Sequence, residues 1–201
     1  WQNHLYAGVE HRYLHSVDGF IFNSQTTRRA VGQMGVDLDQ HPFVVAQPAG
    51  DRFNPQVDSA EIQQRALQPG PLRLFFLGNL IPRKGLHTLL EALAGLSEAA
   101  WELHVAGSLT VDPTYTRSIQ RQIRAASIEH KVHLLGSLAD EMLAREMGGS
   151  HVLVVPSSYE GFGIVYLEGM SFGLPAIATS AGAAGEIITS GKNGYLIPPG
   201  D

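Results

Sequence analysis

Short apolar runs alternate with longer stretches whose apolar residues recur at helical spacing, and this alternation occupies most of the chain. Leu72 to Leu77, Trp101 to Ala106, Val132 to Leu135, Val152 to Val155 and Ala176 to Thr179 read as buried strands. Between them, Gly85 to Leu96 places Leu86, Leu89, Leu90, Leu93 and Leu96 on one side of a helix, and Thr114 to Ala126, Asp140 to Met147 and Gly163 to Phe172 continue the helical pattern. Nearer the N-terminus, Trp1 to Val17 has helical spacing and Gly19 to Asn23 reads as a short strand. Ser24 suits the N-cap of a helix running to about Gln33, and Phe43 to Ala46 reads as another strand. The segment Gln47-Pro48-Ala49-Gly50-Asp51-Arg52-Phe53-Asn54-Pro55 has turn chemistry and marks a domain boundary, followed by a helical stretch near Ser59 to Leu67. The succession predicts an α/β fold with a Rossmann-like, doubly wound parallel sheet.

In such sheets, ligands bind outside the carboxyl ends of the strands. Gly78 to Lys84, Gly107-Ser108, Gly136-Ser137 and Ser157 to Gly163 all fall there. The densest chemistry lies from Pro156 to Glu168, where a strand end, glycine turns at Gly161 and Gly163, and a helix start near Gly163 are followed by a carboxylate about one and a half turns further on. The free N–H groups of that helix suit a phosphate. Glu168 lies among apolar neighbours, where a carboxylate needs a partner, and its two oxygens can hold vicinal hydroxyls such as those of a ribose. Glu160 lies in the preceding loop. Arg83 and Lys84 precede Gly85 near another helix start, so two cations can face one anion.

Composition removes several classes. The net charge of −5 and the scattered basic residues give no field for nucleic acid, and without cysteine the 201-residue chain has no disulfide or thiolate metal site. No apolar run approaches membrane-spanning length, and the N-terminus lacks a signal-peptide pattern, so a soluble chain is expected. No G-x-G-x-x-G occurs, which removes the main support for a nicotinamide dehydrogenase. His4, His11 and His15 share a helical face but lack the glutamate of H-E-x-x-H and a third ligand, so a polar face is expected there and no metal site.

Glu160, seven intervening residues and Glu168, followed by Gly169-Met170-Ser171-Phe172-Gly173-Leu174-Pro175, resemble the E-x7-E motif of retaining glycosyltransferases of family 4, which have the GT-B fold. Phe76-Leu77-Gly78-Asn79-Leu80-Ile81-Pro82-Arg83-Lys84-Gly85 is similar to that family's phosphate-binding loop. Gly182 to Ile188, followed by Gly191-Lys192-Asn193-Gly194, resembles its closing strand-loop-helix. Three motifs in the family's order span about half the chain, which makes chance agreement improbable.

The resemblance implies transfer of a sugar, with retention of configuration, from a UDP-, GDP- or ADP-linked donor to a sugar, lipid or small-molecule acceptor. It implies no cofactor besides the donor. Lys84 matches the diphosphate-binding lysine, and Gly78 and Asn79 belong to the same loop. Gly136, Ser137 and Leu138 would flank the base and Glu168 would hold the ribose. Glu160, with Gly161 and the backbone of Phe162, Gly163 and Ile164, would orient the hexose and its diphosphate. The family often has an arginine where this chain has Asn79, so Arg83 is expected to serve as the second cation. Residues 1–48 would be the end of an acceptor-side lobe and residues 49–201 a donor lobe lacking its terminal helices. Such a piece is expected to bind donor without transferring sugar efficiently, in the cytoplasm or peripherally at the cytoplasmic membrane, since the acceptor-side face can meet an acceptor or a membrane surface. A sugar-nucleotide epimerase, a phosphorylase of the same fold and a non-catalytic nucleotide-sugar-binding module remain as rival classes.

Overall fold

The computed structural model describes residues 2–96 and 100–200; Trp1, Asp201 and the side chain of His4 lie outside the described residues. Its centre is a six-stranded, wholly parallel sheet in the order β5-β4-β3-β6-β7-β8. The strands are β3 (Leu72–Leu77), β4 (Trp101–Ala106), β5 (Val132–Gly136), β6 (Val152–Val155), β7 (Ala176–Thr179) and β8 (Gly194–Ile197). Helices α4 (Leu86–Ala94), α5 (Pro113–Ala125), α6 (Asp140–Gly149) and α7 (Ile164–Ser171) connect them. Before the sheet come α1 (Gln2–Leu14), β1 (Phe20–Phe22), α2 (Gln25–Gln33), β2 (Phe43–Val45) and α3 (Ser59–Ala66), with β1 and β2 pairing in parallel.

Burial on both sides explains the apolar runs. Phe75, Phe76, Leu103, Val105, Leu153 and Val155 are fully enclosed, and Leu86 and Leu90 of α4 and Ile119 of α5 pack onto them. Local sequence sets the helix starts. Ser24, Asp58 and Asp112 are N-caps whose side chains accept the N–H groups of Thr27, Glu61 and Tyr115, and Pro113 opens α5 with the φ a first turn needs.

The chain runs outward from β3 to β4 and β5, then returns to place β6 on the other side of β3. The loops leaving β3 and β6 therefore meet at a topological switch point, where a crevice forms.

The structure corrects some expected boundaries. Helix α4 ends at Ala94, so Leu96 lies beyond it and is half exposed rather than inward. Helix α1 ends at Leu14. The segment after β7 forms a short 3-10 turn at Ala184–Glu186 instead of an α-helix, and the chain then adds β8, which the apolar pattern did not reveal. Among the described residues, no helix is long and apolar enough to cross a membrane.

Because Leu103 is fully buried in a central strand, Leu103→Ala is expected to lower the unfolding free energy by about 2–5 kcal/mol. Denaturant titration should show an earlier midpoint with an unchanged slope.

Candidate functional site

The 3-10 turn Pro82–Lys84 follows β3, and the segment Pro156–Gly163 follows β6. They meet through Lys84 Nζ and Glu160 Oε1, 2.6 Å apart, with both side chains largely buried. Ser157 Oγ donates to the same carboxylate oxygen at 2.6 Å, and Arg83 Nη1 lies 3.6 Å from Oε2 while donating to the Tyr159 carbonyl at 2.6 Å. The Ser158 N–H donates to the Arg83 carbonyl, joining the two backbones. Although it lies in a loop, Glu160 is only 6% exposed.

A third loop completes the arrangement. After β7, Gly182 forms a bridge with Glu160, and the Ala183 N–H donates to the Glu160 carbonyl at 2.8 Å. A Cβ on Gly182 would lie 2.2 Å from that carbonyl oxygen, and its φ of +74 is left-handed, so this approach requires glycine. Gly163, also left-handed at φ +96, leads into α7. Tyr166 of that helix donates its hydroxyl to the Val155 carbonyl. Burial first, and the neighbouring Glu160 charge second, push the Tyr166 phenol far above its ordinary value, so it stays a neutral donor fixing the helix to the end of β6.

The loops after β3 and β6 line a cavity of about 440 Å³ with Arg83, Lys84 and Tyr159 to Val165, joined by Asn23 and Pro48. Of the expected site residues, the structure brings together Arg83, Lys84, Glu160, Gly161, Phe162, Gly163 and Ile164. Others lie outside this lining. Asn79 Oδ1 accepts the Ser108 N–H, tying the loops after β3 and β4, beside Gly78, whose N–H donates to the Ala106 carbonyl. Gly136, Ser137 and Leu138 join β5 to α6. Glu168 is 3% exposed on α7, and its Oε1 accepts from Arg52 at 3.3 Å; Arg52 also reaches Asp140 at 2.6 Å.

Arg52 was not foreseen as a partner of Glu168; the local signal was only a lone arginine in a turn-rich segment. Nor was the link between α2 and the sheet. Ser24 and Thr27 donate side-chain hydroxyls to the Gly161 carbonyl at 2.6 and 3.1 Å. Glu186 accepts the N–H groups of Gln25 and Thr26, the Thr26 hydroxyl and, at 3.4 Å, the Gln47 amide. Burial alone would raise the Glu186 carboxyl, but these hydrogen bonds outweigh it and hold the group below the usual glutamate value. The carboxylate also faces the positive end of α2.

A search of family models matches residues 57–201 to glycosyl transferases group 1. The chain belongs to that family. It is 27% identical over 195 residues to the D-inositol 3-phosphate glycosyltransferase of Pseudarthrobacter chlorophenolicus, covering 94% of this chain and 46% of that protein. It is 29% identical to D-rhamnosyltransferase WbpZ of Pseudomonas aeruginosa, covering 97% and 50%. This group 1 glycosyltransferase chain thus spans about half the length of those relatives. The crystal structure of Anabaena Alr3699/HepE in complex with UDP and glucose superposes with a TM-score of 0.81 at 25% identity, covering 97% of this chain and 53% of that one. The six-stranded parallel sheet flanked by helices is Rossmann-like, as in GT-B glycosyltransferases.

Because folding depresses the Glu186 pKa, its contribution to stability should be complete above the unfolded value and fade as pH falls through the carboxylate range. The stability difference between the native chain and Glu186→Gln, measured by denaturant unfolding, is expected to be largest near neutrality. It should shrink below about pH 4.3, the ordinary glutamate value.

Proposed function

We propose that this chain is the donor-binding part of a retaining, family 4-type hexosyltransferase that uses a nucleotide-diphosphate sugar. Residues 49–201 form its donor lobe, and residues 1–48 are the end of its acceptor-side lobe. The observation that carries the reading is the Lys84–Glu160 pair at the switch point between β3 and β6, inside the cavity at the N-terminus of α7. It unites, in one place, a cation for a diphosphate and a carboxylate for sugar hydroxyls. HepE, a similar protein, was crystallised with UDP and glucose, and that supports a nucleotide sugar as the ligand class.

The residues divide the work by their chemistry. Cleaving the bond between sugar and diphosphate develops positive charge on the sugar and negative charge on the leaving group. Lys84, Arg83 and the first N–H groups of α7 would meet the departing diphosphate. Arg83 lines the cavity whereas Asn79 does not, which favours Arg83 as the second cation. With these positive groups in place, the diphosphate needs no divalent ion to balance its charge.

Glu160 is held by Lys84 and Ser157, so it would act as a fixed acceptor for hexose hydroxyls and not as a nucleophile. Glu168, oriented by Arg52, would accept from ribose hydroxyls, since a carboxylate has room for both partners. Gly136, Ser137 and Leu138 would flank the base. Retention would then follow from same-face attack, with the acceptor approaching from the other lobe.

The test is calorimetric titration with UDP, GDP and ADP in the presence of EDTA, followed by product analysis of the two-lobed protein with an acceptor. One nucleotide should bind. Lys84→Ala is expected to weaken it about ten- to a hundredfold, the range for one charge-assisted hydrogen bond, and Glu168→Ala and Arg83→Ala should weaken it as well. Glu160→Gln should leave nucleotide affinity near native while depressing turnover. Equal binding by the native chain and Lys84→Ala, or a product of inverted configuration, would refute the assignment.

A further inference from the structure

Apart from the cavity, β4 and β5 bring together a second cluster of reactive side chains. His104 and His133 are direct partners across the ladder between these strands, with ring centroids 4.8 Å apart. Glu102 precedes His104 by two residues, so both project from the same face of β4. One potential ligand atom from each of Glu102, His104 and His133 lies within 4.8 Å of the others, with the first two half-buried and His133 exposed. From α6, Glu146 Oε2 meets His104 Nδ1 at 2.5 Å.

We propose that Glu102, His104 and His133 bind a divalent ion of the zinc type, with Glu146 as the positioning residue for the His104 ring. Two imidazoles and one carboxylate are a nitrogen-rich donor set that suits zinc and similar ions, whereas magnesium and calcium favour oxygen ligands throughout. Ligand bonds of about 2.0–2.2 Å to a tetrahedral ion require donor atoms roughly 3.4 Å apart. The cluster therefore needs to contract by up to about 1.4 Å, which side-chain rotation can supply because the sheet already fixes the backbones. A carboxylate on the other nitrogen of a metal-bound imidazole is a recurring support, since it orients the ring and raises its basicity. Three protein ligands leave the remaining position to water.

The site is separate from the donor cavity, as none of these residues lines it. Its place in the fold gives it a structural consequence. Strand β5 ends at Gly136, three residues after His133, and α6, which carries Glu146, begins at Asp140. A bound ion would thus brace both flanks of the Gly136–Leu138 loop. The stacked rings of His11 on α1 and His15 just beyond its end are a separate pair; His15 is engaged with the backbone carbonyls of His11 and Gly35.

Zinc titration by calorimetry tests the proposal without nucleotide, on metal-stripped protein carrying His11→Ala and His15→Ala to remove that pair. One equivalent of zinc is expected to bind, and cobalt should give the visible absorption of a low-coordinate, nitrogen-bound ion. Binding should be lost in His133→Ala and in Glu102→Gln and weakened about 10–100-fold in Glu146→Gln, with circular dichroism unchanged. Absence of stoichiometric binding, zinc affinity unaltered by His133→Ala, or equal affinity for magnesium would each overturn it. In any of those cases His104 and Glu146 form an ordinary hydrogen-bonded pair beside a surface histidine.

Discussion

The cavity depends on keeping the Glu160 carboxylate out of water. A buried carboxylate without partners costs several kcal/mol, so its surroundings must replace the lost hydration. Lys84 comes from the loop after β3, Ser157 from the loop after β6, and Gly182 and Ala183 hold the Glu160 backbone from the loop after β7. The Glu160 side chain thereby joins the ends of β3 and β6, and its backbone joins them to the end of β7. Removing Lys84 would leave that charge largely uncompensated, whereas Glu160→Gln would retain a side chain able to accept the Ser157 hydroxyl. Their effects on folding should therefore be unequal although they act on the same pair.

The second organising interaction lies at the start of α2. Its first N–H groups are shared between Ser24, which caps from within, and Glu186, which caps from the sheet side. The Ser24 and Thr27 hydroxyls at the same helix end reach the carbonyl of Gly161, which lines the cavity. The N-terminal segment is thus fastened to the site-forming loop, and its placement bears directly on cavity shape. Hydrogen bonds to a charged acceptor make this attachment directional, unlike an apolar contact that could slide.

Much of this was legible in sequence because it is local. Strand β6 is a continuous apolar run and β3 is broken only by Arg73, as a sheet buried on both faces requires, while β4 alternates Glu102 and His104 with buried apolar residues, and Ser24 precedes a helical pattern. Glu160, Lys84 and Arg83 could be singled out because glycine turns and helix starts mark strand ends. The unforeseen features depend on distant partners. Arg52 meets Glu168 across 116 positions, and Glu186 meets Thr26 across 160, so no local pattern betrays either. Strand β8 was hidden for a different reason: Gly194 lies close against the Ala176 backbone, and Tyr195 faces solvent, leaving too few apolar residues for a run. Leu96 followed helical spacing, but Gly95 ends the helix before it.

The same contrast bears on how the two carboxylates of the E-x7-E motif can differ in role. Glu160 is paired with a largely buried lysine at 2.6 Å, while Glu168 is paired at 3.3 Å with an arginine that is 43% exposed and is also bound to Asp140. An arginine shared between two carboxylates, one of them in solvent, holds Glu168 by the longer of its two contacts. Lys84 has less freedom, since its short bond to Glu160 sets where its charge sits in the cavity. Equal residues at fixed spacing are therefore unequal groups: Glu160 is tied to a largely buried lysine, whereas Glu168 shares a half-exposed arginine with Asp140. That inequality arises from partners contributed by the loop after β3 and by the segment before α3, not from the motif itself.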